Sequence, residues 1–216
     1  MDTPPIVAVA SSADDLEAVS ELLSALPAEC SATFIVVQRL NAGRERLLAE
    51  ALATRTIRPV MYARDGVVPE PDHVYLIPAN TTLTMSGRRI RVTPDASKLQ
   101  HPGDILFASL AQERGDSAIG VVLSGGGSDG ALGIRAIRQG GGTTFAQYPG
   151  SARFTSMPIS AIETGCVGFV LRPNEIAREL TRLGRHAVPT AGVARSVLVS
   201  TTKRDTAEAM ALPARS

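Results

Sequence analysis

Residues 121–146 constrain this chain more than any other stretch. They read Val-Val-Leu-Ser-Gly-Gly-Gly-Ser-Asp-Gly-Ala-Leu-Gly-Ile-Arg-Ala-Ile-Arg-Gln-Gly-Gly-Gly-Thr-Thr-Phe-Ala. An apolar run ends in a glycine-rich turn, and a helical pattern of Leu132, Ile134, Ala136 and Ile137 follows. Glycines stop that pattern, and a second β-like run begins at Thr143. This is one strand–helix–strand unit. Parallel units of this kind present polar groups at the carboxyl ends of their strands. The loop 124–130 and its one acid, Asp129, are therefore expected to face any site.

The same alternation runs along the rest of the chain. Residues 6–10 form a short apolar strand, and Ser11-Ser12-Ala13-Asp14-Asp15 leads into Leu16, Ala18, Val19, Leu22 and Leu23 at helical spacing. Side-chain oxygens in such a turn suit the free amides of a first helical turn, so these residues read as caps. Residues 33–38 read as a buried parallel strand, with a helix over about 44–54. Residues 58–61 and 74–77 look like short strands, and 82–85 with 89–92 form a hairpin around Ser86-Gly87. This β-rich insertion is expected on one edge of the sheet. Pro102 opens a helix to Gln112, and 118–123 is the strand feeding the central loop. Beyond it, Pro158 opens a helix to Thr164, 169–171 is a last strand and 173–183 a last helix. The expected fold is α/β: a doubly wound, mostly parallel sheet with helices on both faces and a small β-hairpin insertion. The domain is assigned to residues 1–184. Residues 185–216, rich in Ala, Arg, Thr, Ser and Pro without clear periodicity, read as a disordered tail or linker.

Composition removes several function classes. The net charge of +1 leaves no electrostatic footprint for nucleic acid. No apolar run approaches the ~20 residues of a spanning helix, and the start, Met-Asp-Thr-Pro-Pro, has no apolar signal core. A cytoplasmic protein with no membrane insertion is expected. Cys30 and Cys166 are too few for a disulfide framework and wrongly spaced for zinc, so both read as reduced structural thiols.

Two constellations could carry chemistry. Gly125, Gly127 and Gly130 match the Gly-x-Gly-x-x-Gly spacing of dinucleotide sites. However, the acid expected about 20 residues on is absent, since 148–151 holds no Asp or Glu. The second constellation joins three strand ends: Ser12 after the first strand, Gln38-Arg39 after the second and Asp129 after the central one. A hydroxyl and a carboxylate brought together in this way are two members of a Ser-His-Asp site. Of the three histidines, His73 and His186 lie elsewhere, while the loop of His101 could approach this edge.

These residues also carry a resemblance. Ala10-Ser-Ser-Ala-Asp-Asp-Leu-Glu-Ala resembles the Gly-Ala-Ser-x-Gly-Gly-x-Glu-Ala signature of CheB-type protein-glutamate methylesterases. Leu123-Ser-Gly-Gly-Gly-Ser-Asp-Gly-Ala is similar to their Leu-Thr-Gly-Met-Gly-Asn-Asp-Gly-Ala. His73-Val-Tyr-Leu-Ile-Pro-Ala, Asp104-Ile-Leu-Phe-Ala-Ser-Leu, Ala146-Gln147 and Met157-Pro-Ile-Ser-Ala-Ile extend the match in order along the chain. The resemblance implies hydrolysis of glutamyl methyl esters, often with glutamine deamidation. The substrates it implies are methyl-accepting chemoreceptor helices in chemotaxis signalling, and it implies no metal or organic cofactor. Ser12 falls on the family nucleophile and Asp129 on the acid that orients its histidine.

The histidine itself follows a glutamine after the second strand, and here that place is Arg39. Asp14 and Asp15 replace the Gly-Gly after the nucleophile, Gly126 the methionine and Ser128 the asparagine. A guanidinium stays protonated and can only donate, so Arg39 cannot relieve Ser12 of its proton. It is expected to pair with Asp129. Asp14 and Asp15 oppose an oxyanion beside them. Esterase activity is accordingly expected to be weak or absent. A non-catalytic binding or regulatory module of a chemosensory pathway is one alternative, and a dinucleotide-binding domain another. The family often carries an amino-terminal receiver domain. Only about five residues precede the first strand, so control by an attached receiver is not expected of this chain.

Overall fold

The structure, a computed structural model, describes residues 5–13, 15–38, 45–94 and 101–185. Asp14, Arg39 and residues 186–216 lie outside the described residues, and with them fall His186, nearly all of the expected tail and the expected Arg39–Asp129 pair.

Seven parallel strands form the main sheet: β1 (Ile6–Ser11), β2 (Thr33–Gln38), β3 (Val60–Tyr62), β4 (Val74–Leu76), β7 (Ile119–Val122), β8 (Thr143–Gln147) and β9 (Phe169–Leu171). Their spatial order is β3-β4-β2-β1-β7-β8-β9, and β5 (Thr81–Ser86) pairs antiparallel with β6 (Arg89–Pro94) in a separate hairpin. All six residues of β1 are buried. A strand apolar on both faces can sit only at the centre of a sheet covered on both sides. Val7 and Val9 pack on one face with Leu22 and Leu23 of α1 (Leu16–Ser24) and Ile176 and Leu180 of α6 (Pro173–Arg185). Ile6, Ala8 and Ala10 pack on the other with Phe107 of α3 (Pro102–Arg114), Ile134 of α4 (Ala131–Gln139) and Met157 of α5 (Ser156–Glu163). The period of two along one strand therefore separates the two layers. Between β2 and β3 runs α2 (Glu45–Ala53).

The β-rich insertion divides. Strands β3 and β4 extend the parallel sheet to its edge, as expected. The hairpin instead leans on α3, where the Met85 amide donates to Ser109 Oγ at 3.0 Å and the amides of Gly87 and Arg88 donate to the Glu113 carboxylate at 3.1 and 2.7 Å. Its turn residues Gly87 and Arg88 both adopt positive φ, 56° and 64°, the conformation that a two-residue turn needs to match strand twist. Arg58, expected within a strand, precedes β3. Its buried guanidinium donates to the carbonyls of Leu26, Pro27 and Cys30 at 3.4, 2.8 and 2.7 Å, meeting acceptors left over beyond the end of α1. Helix α5 begins two residues before Pro158, which is tolerated there because first-turn amides have no intrahelical acceptor to lose. Cys30 is buried, Cys166 half-buried, and both are unpaired. Among the described residues no helix is long and apolar enough to cross a membrane.

Candidate active site

Strand order locates the site. From β1 the chain adds β2, then the edge strand β3 and then β4 between them, and afterwards crosses to the other side of β1 and continues through β7, β8 and β9. The crevice at such a reversal lies beyond the carboxyl ends of its two strands, here β1 and β7. The registers Ser11 with Gln38 and Ala10 with Val122 bring the three strand ends level. Ser12, Gln38 and the loop 123–130 are thus gathered at one edge.

Each of these segments is pinned. Gln38, 1% exposed, donates from Nε2 to Ser11 Oγ at 2.7 Å and to the Ser12 carbonyl at 3.2 Å. Its Oε1 has no hydrogen-bond partner among the described residues. The Ser12 amide donates across the crevice to the Ser124 carbonyl at 3.0 Å, and the Asp15 amide donates to the Ser12 carbonyl at 3.1 Å. Ser124 is fully buried: its amide donates to Gln147 Oε1 at 2.8 Å, and its hydroxyl accepts from the Phe154 amide at 3.0 Å. Gly125 bonds through its backbone to Phe154 and Met157, and a Cβ there would collide with Met157 Sδ and lie 3.1 Å from the Ser12 nitrogen. That close approach requires glycine at the first position of the Gly-x-Gly-x-x-Gly spacing. Gly130, at φ 90°, requires it at the last.

Asp129 sits at the amino end of α3. Its Oδ2 accepts from the Gly103 amide and its Oδ1 from the Asp104 amide, both at 3.0 Å. Asp104 Oδ1 in turn accepts from the Gly133 amide of α4 at 2.8 Å. The loop before α4 and the first turn of α3, distant in sequence, therefore cap each other's helices, and each carboxylate lies at a positive helix end. His101 reaches the same place, with Nδ1 4.0 Å from Asp129 Oδ1 and 3.8 Å from Asp104 Oδ2. Among the described residues these three form the one cluster whose potential metal-binding atoms lie within 4.8 Å of one another. Both Asp129 oxygens already accept amides, and the arrangement is that of a pair of caps with an imidazole at its rim.

Burial pushes the Asp129 carboxyl above its ordinary value. The two amide bonds pull it back, the Asp104 charge adds to the rise and His101 opposes it. An acid raised in this way contributes stability that is fully present below its unfolded value, near 3.8, and is lost as pH rises through the folded value. Asp129→Asn removes that dependence. The stability of the natural chain relative to the variant is expected to fall with rising pH across that window, read by urea denaturation at steps from about pH 3.5 to 7. A flat difference would show that the amide bonds cancel the effect of burial, and one that rises with pH that they outweigh it.

Asp15 stands at the cap position of α1 but makes no side-chain bond to the helix, which corrects the expectation that it caps there. The structural partnerships of Asp104, Gln38 and Gln147 escaped sequence reasoning. The one local signal was Asp104 two places after a helix-opening proline, in a first turn.

A doubly wound α/β domain with polar strand ends gathered at its topological switch point is the class that these features define. Residues 7–180 match the CheB methylesterase family, and the chain belongs to it. It is 35% identical over 194 residues to the protein-glutamate methylesterase/protein-glutamine glutaminase of group 3 operon of Rhizobium meliloti, covering 85% of this chain and 55% of that one. It is likewise 35% identical over 187 residues to a protein-glutamate methylesterase/protein-glutamine glutaminase of Bordetella parapertussis, covering 83% and 53%. The chain thus spans about half the length of the curated relatives it matches. The crystal structure of the Thermotoga maritima CheB methylesterase catalytic domain superposes with a TM-score of 0.76 at 26% identity, over 84% of this chain and 100% of that one.

Proposed function

We propose that this domain engages glutamyl methyl esters, and the related glutamine side chains, on the helices of a methyl-accepting chemoreceptor or another chemosensory protein at the cytoplasmic side. In this reading Ser12 is the nucleophile by position, Asp129 is the acid beside it, and turnover is weak or absent because Arg39 stands where the family has histidine. One observation carries the reading. Gln38 is locked to Ser11 and to the Ser12 carbonyl at the carboxyl end of β1, and in sequence the residue directly after it, where the family carries its histidine, is Arg39. A guanidinium donates but does not accept a proton at neutral pH, so the hydroxyl keeps its proton and stays a poor nucleophile.

A module that binds without turnover is the second reading. It is favoured by Asp129 serving as a helix cap, a role that accounts for the residue without chemistry. Methanol release from methylated receptor membranes separates the two, with Ser12→Ala as the control. Slow release that Ser12→Ala abolishes supports weak hydrolysis. Equal background release from both supports the binding module. Release at a rate typical of an intact triad would overturn both.

A further inference from the structure

Beside the crevice, between α1 and the loop after β8, lies a cavity of about 330 Å³. Asp15, Glu17 and Glu21 line it from one side, and Gln147, Ser151 and Arg153 from the other. Its volume is at the lower end of the range for small-ligand sites, roughly 300–1,000 Å³. Asp15 is 4% exposed. It makes no cap bond to α1, and among the described residues its carboxylate has no hydrogen-bond or ion-pair partner. With no protein donor, its carboxylate oxygens keep their contact with the cavity, and their acceptor sites meet whatever enters it.

The other polar groups do not neutralise it. Gln147, 2% exposed, is committed: Oε1 accepts from Ser124, and Nε2 donates to the Ser151 carbonyl and hydroxyl at 3.1 and 3.2 Å. Arg153 is exposed at the rim with its guanidinium 5.2 Å from the centroid of the Phe154 ring, and it makes no ion pair among the described residues. Three carboxylates thus face one rim guanidinium. They are also too widely spaced to share a metal ion: among the described residues the one triple within 4.8 Å is His101, Asp104 and Asp129. An ion held by oxygens at roughly 2.0–2.6 Å cannot reach all three. A larger, delocalised or substituted cation can.

We propose that this cavity is a binding site for an organic cation, an ammonium or guanidinium head group, with Asp15 as the buried anchor and Glu17 and Glu21 at the entrance. The inference does not depend on turnover at Ser12. Its position nonetheless links the two, because the Asp15 amide donates to the Ser12 carbonyl. A basic group seated here lies next to the site of any bound ester, and the cation can come either from a free small molecule or from a basic side chain of a protein partner.

Calorimetric titration of the full chain with ethylguanidinium, butylammonium, the peptide acetyl-Gly-Arg-Gly-amide and its neutral citrulline counterpart tests this. At least one cationic probe is expected to bind, with the citrulline peptide weaker by about tenfold or more, the scale of one charge-assisted hydrogen bond. Asp15→Asn is expected to weaken the cation by a similar factor. Glu17→Gln, at an exposed position, should weaken it less and in a salt-dependent way. Binding of the free cations as well as the peptide identifies a small-molecule ligand, and binding of the Arg peptide alone identifies a partner's side chain. No binding by any cationic probe overturns the proposal. So does equal binding of the citrulline peptide, or binding unchanged in a folded Asp15→Asn and in Glu17→Gln.

Discussion

Arg39→His is expected to raise methanol release from methylated receptor membranes by ~10²–10⁴ over the natural chain, the usual contribution of a general base. The scaffold for that gain is already built. Ser12 is held by its amide to Ser124 and by its carbonyl to Gln38 and Asp15. Asp129 is fixed at the amino end of α3 by two amides. An imidazole placed after Gln38 supplies the proton acceptor that a guanidinium cannot, and the acid can orient it and stabilise its charged form. The gained rate should rise with pH through the imidazole range, near 6.5, and vanish in the Arg39→His, Ser12→Ala double variant. If the natural chain is already as fast as Arg39→His, the assignment of Arg39 as the disabling residue fails. His101, 4.0 Å from Asp129, then becomes the base to remove next.

Phe107→Ala is expected to be the most damaging single truncation to stability, at about 3–5 kcal/mol. The ring is fully buried at the junction of α3, α4 and the sheet. A Cβ at Gly133 would lie 2.5 Å from the Phe107 Cβ, and one at Gly120 would lie 3.4 Å from its ring. Backbone and ring are therefore already in contact on several sides, and the neighbouring glycines have no side chains with which to fill the space left behind. The loss should appear as a lower urea midpoint with an unchanged slope. A change below about 1 kcal/mol, the scale of a volume-conserving swap, would mean that α3 and α4 can close over the gap. Because α3 carries the amides that hold Asp129, part of the damage should reach the crevice.

Much of the framework was legible in local pattern. The strands 33–38 and 169–171 coincide with β2 and β9, and most helices were placed within a few residues. The differences arise where a neighbour overrides local preference. Arg58 leaves its apparent strand because three carbonyls beyond the end of α1 lack donors. Asp15 occupies a cap position without capping, its carboxylate turned to a cavity completed by Gln147 and Ser151. The hairpin binds α3 because Glu113 offers its carboxylate to the turn amides. At the site, the sequence motifs marked Ser12 and Asp129. The reciprocal capping of α3 and α4 became visible only in three dimensions, where the loop of His101, within reach of this edge by sequence, brings its ring to both acids.

The sequence alone determined the alternation of strand and helix, the glycine loop after the central strand and the arginine that follows Gln38. Each is written in neighbouring residues, through hydrophobic period, backbone freedom or side-chain chemistry. Tertiary structure decided the strand order that places β1 beside β7, and the partners of Asp129 and Asp104. A carboxylate accepts from whichever amide the fold delivers, and here those amides come from segments 25 to 29 residues away along the chain. Local pattern carries no record of such a meeting, because it exists only once the layers on both faces of the sheet have closed.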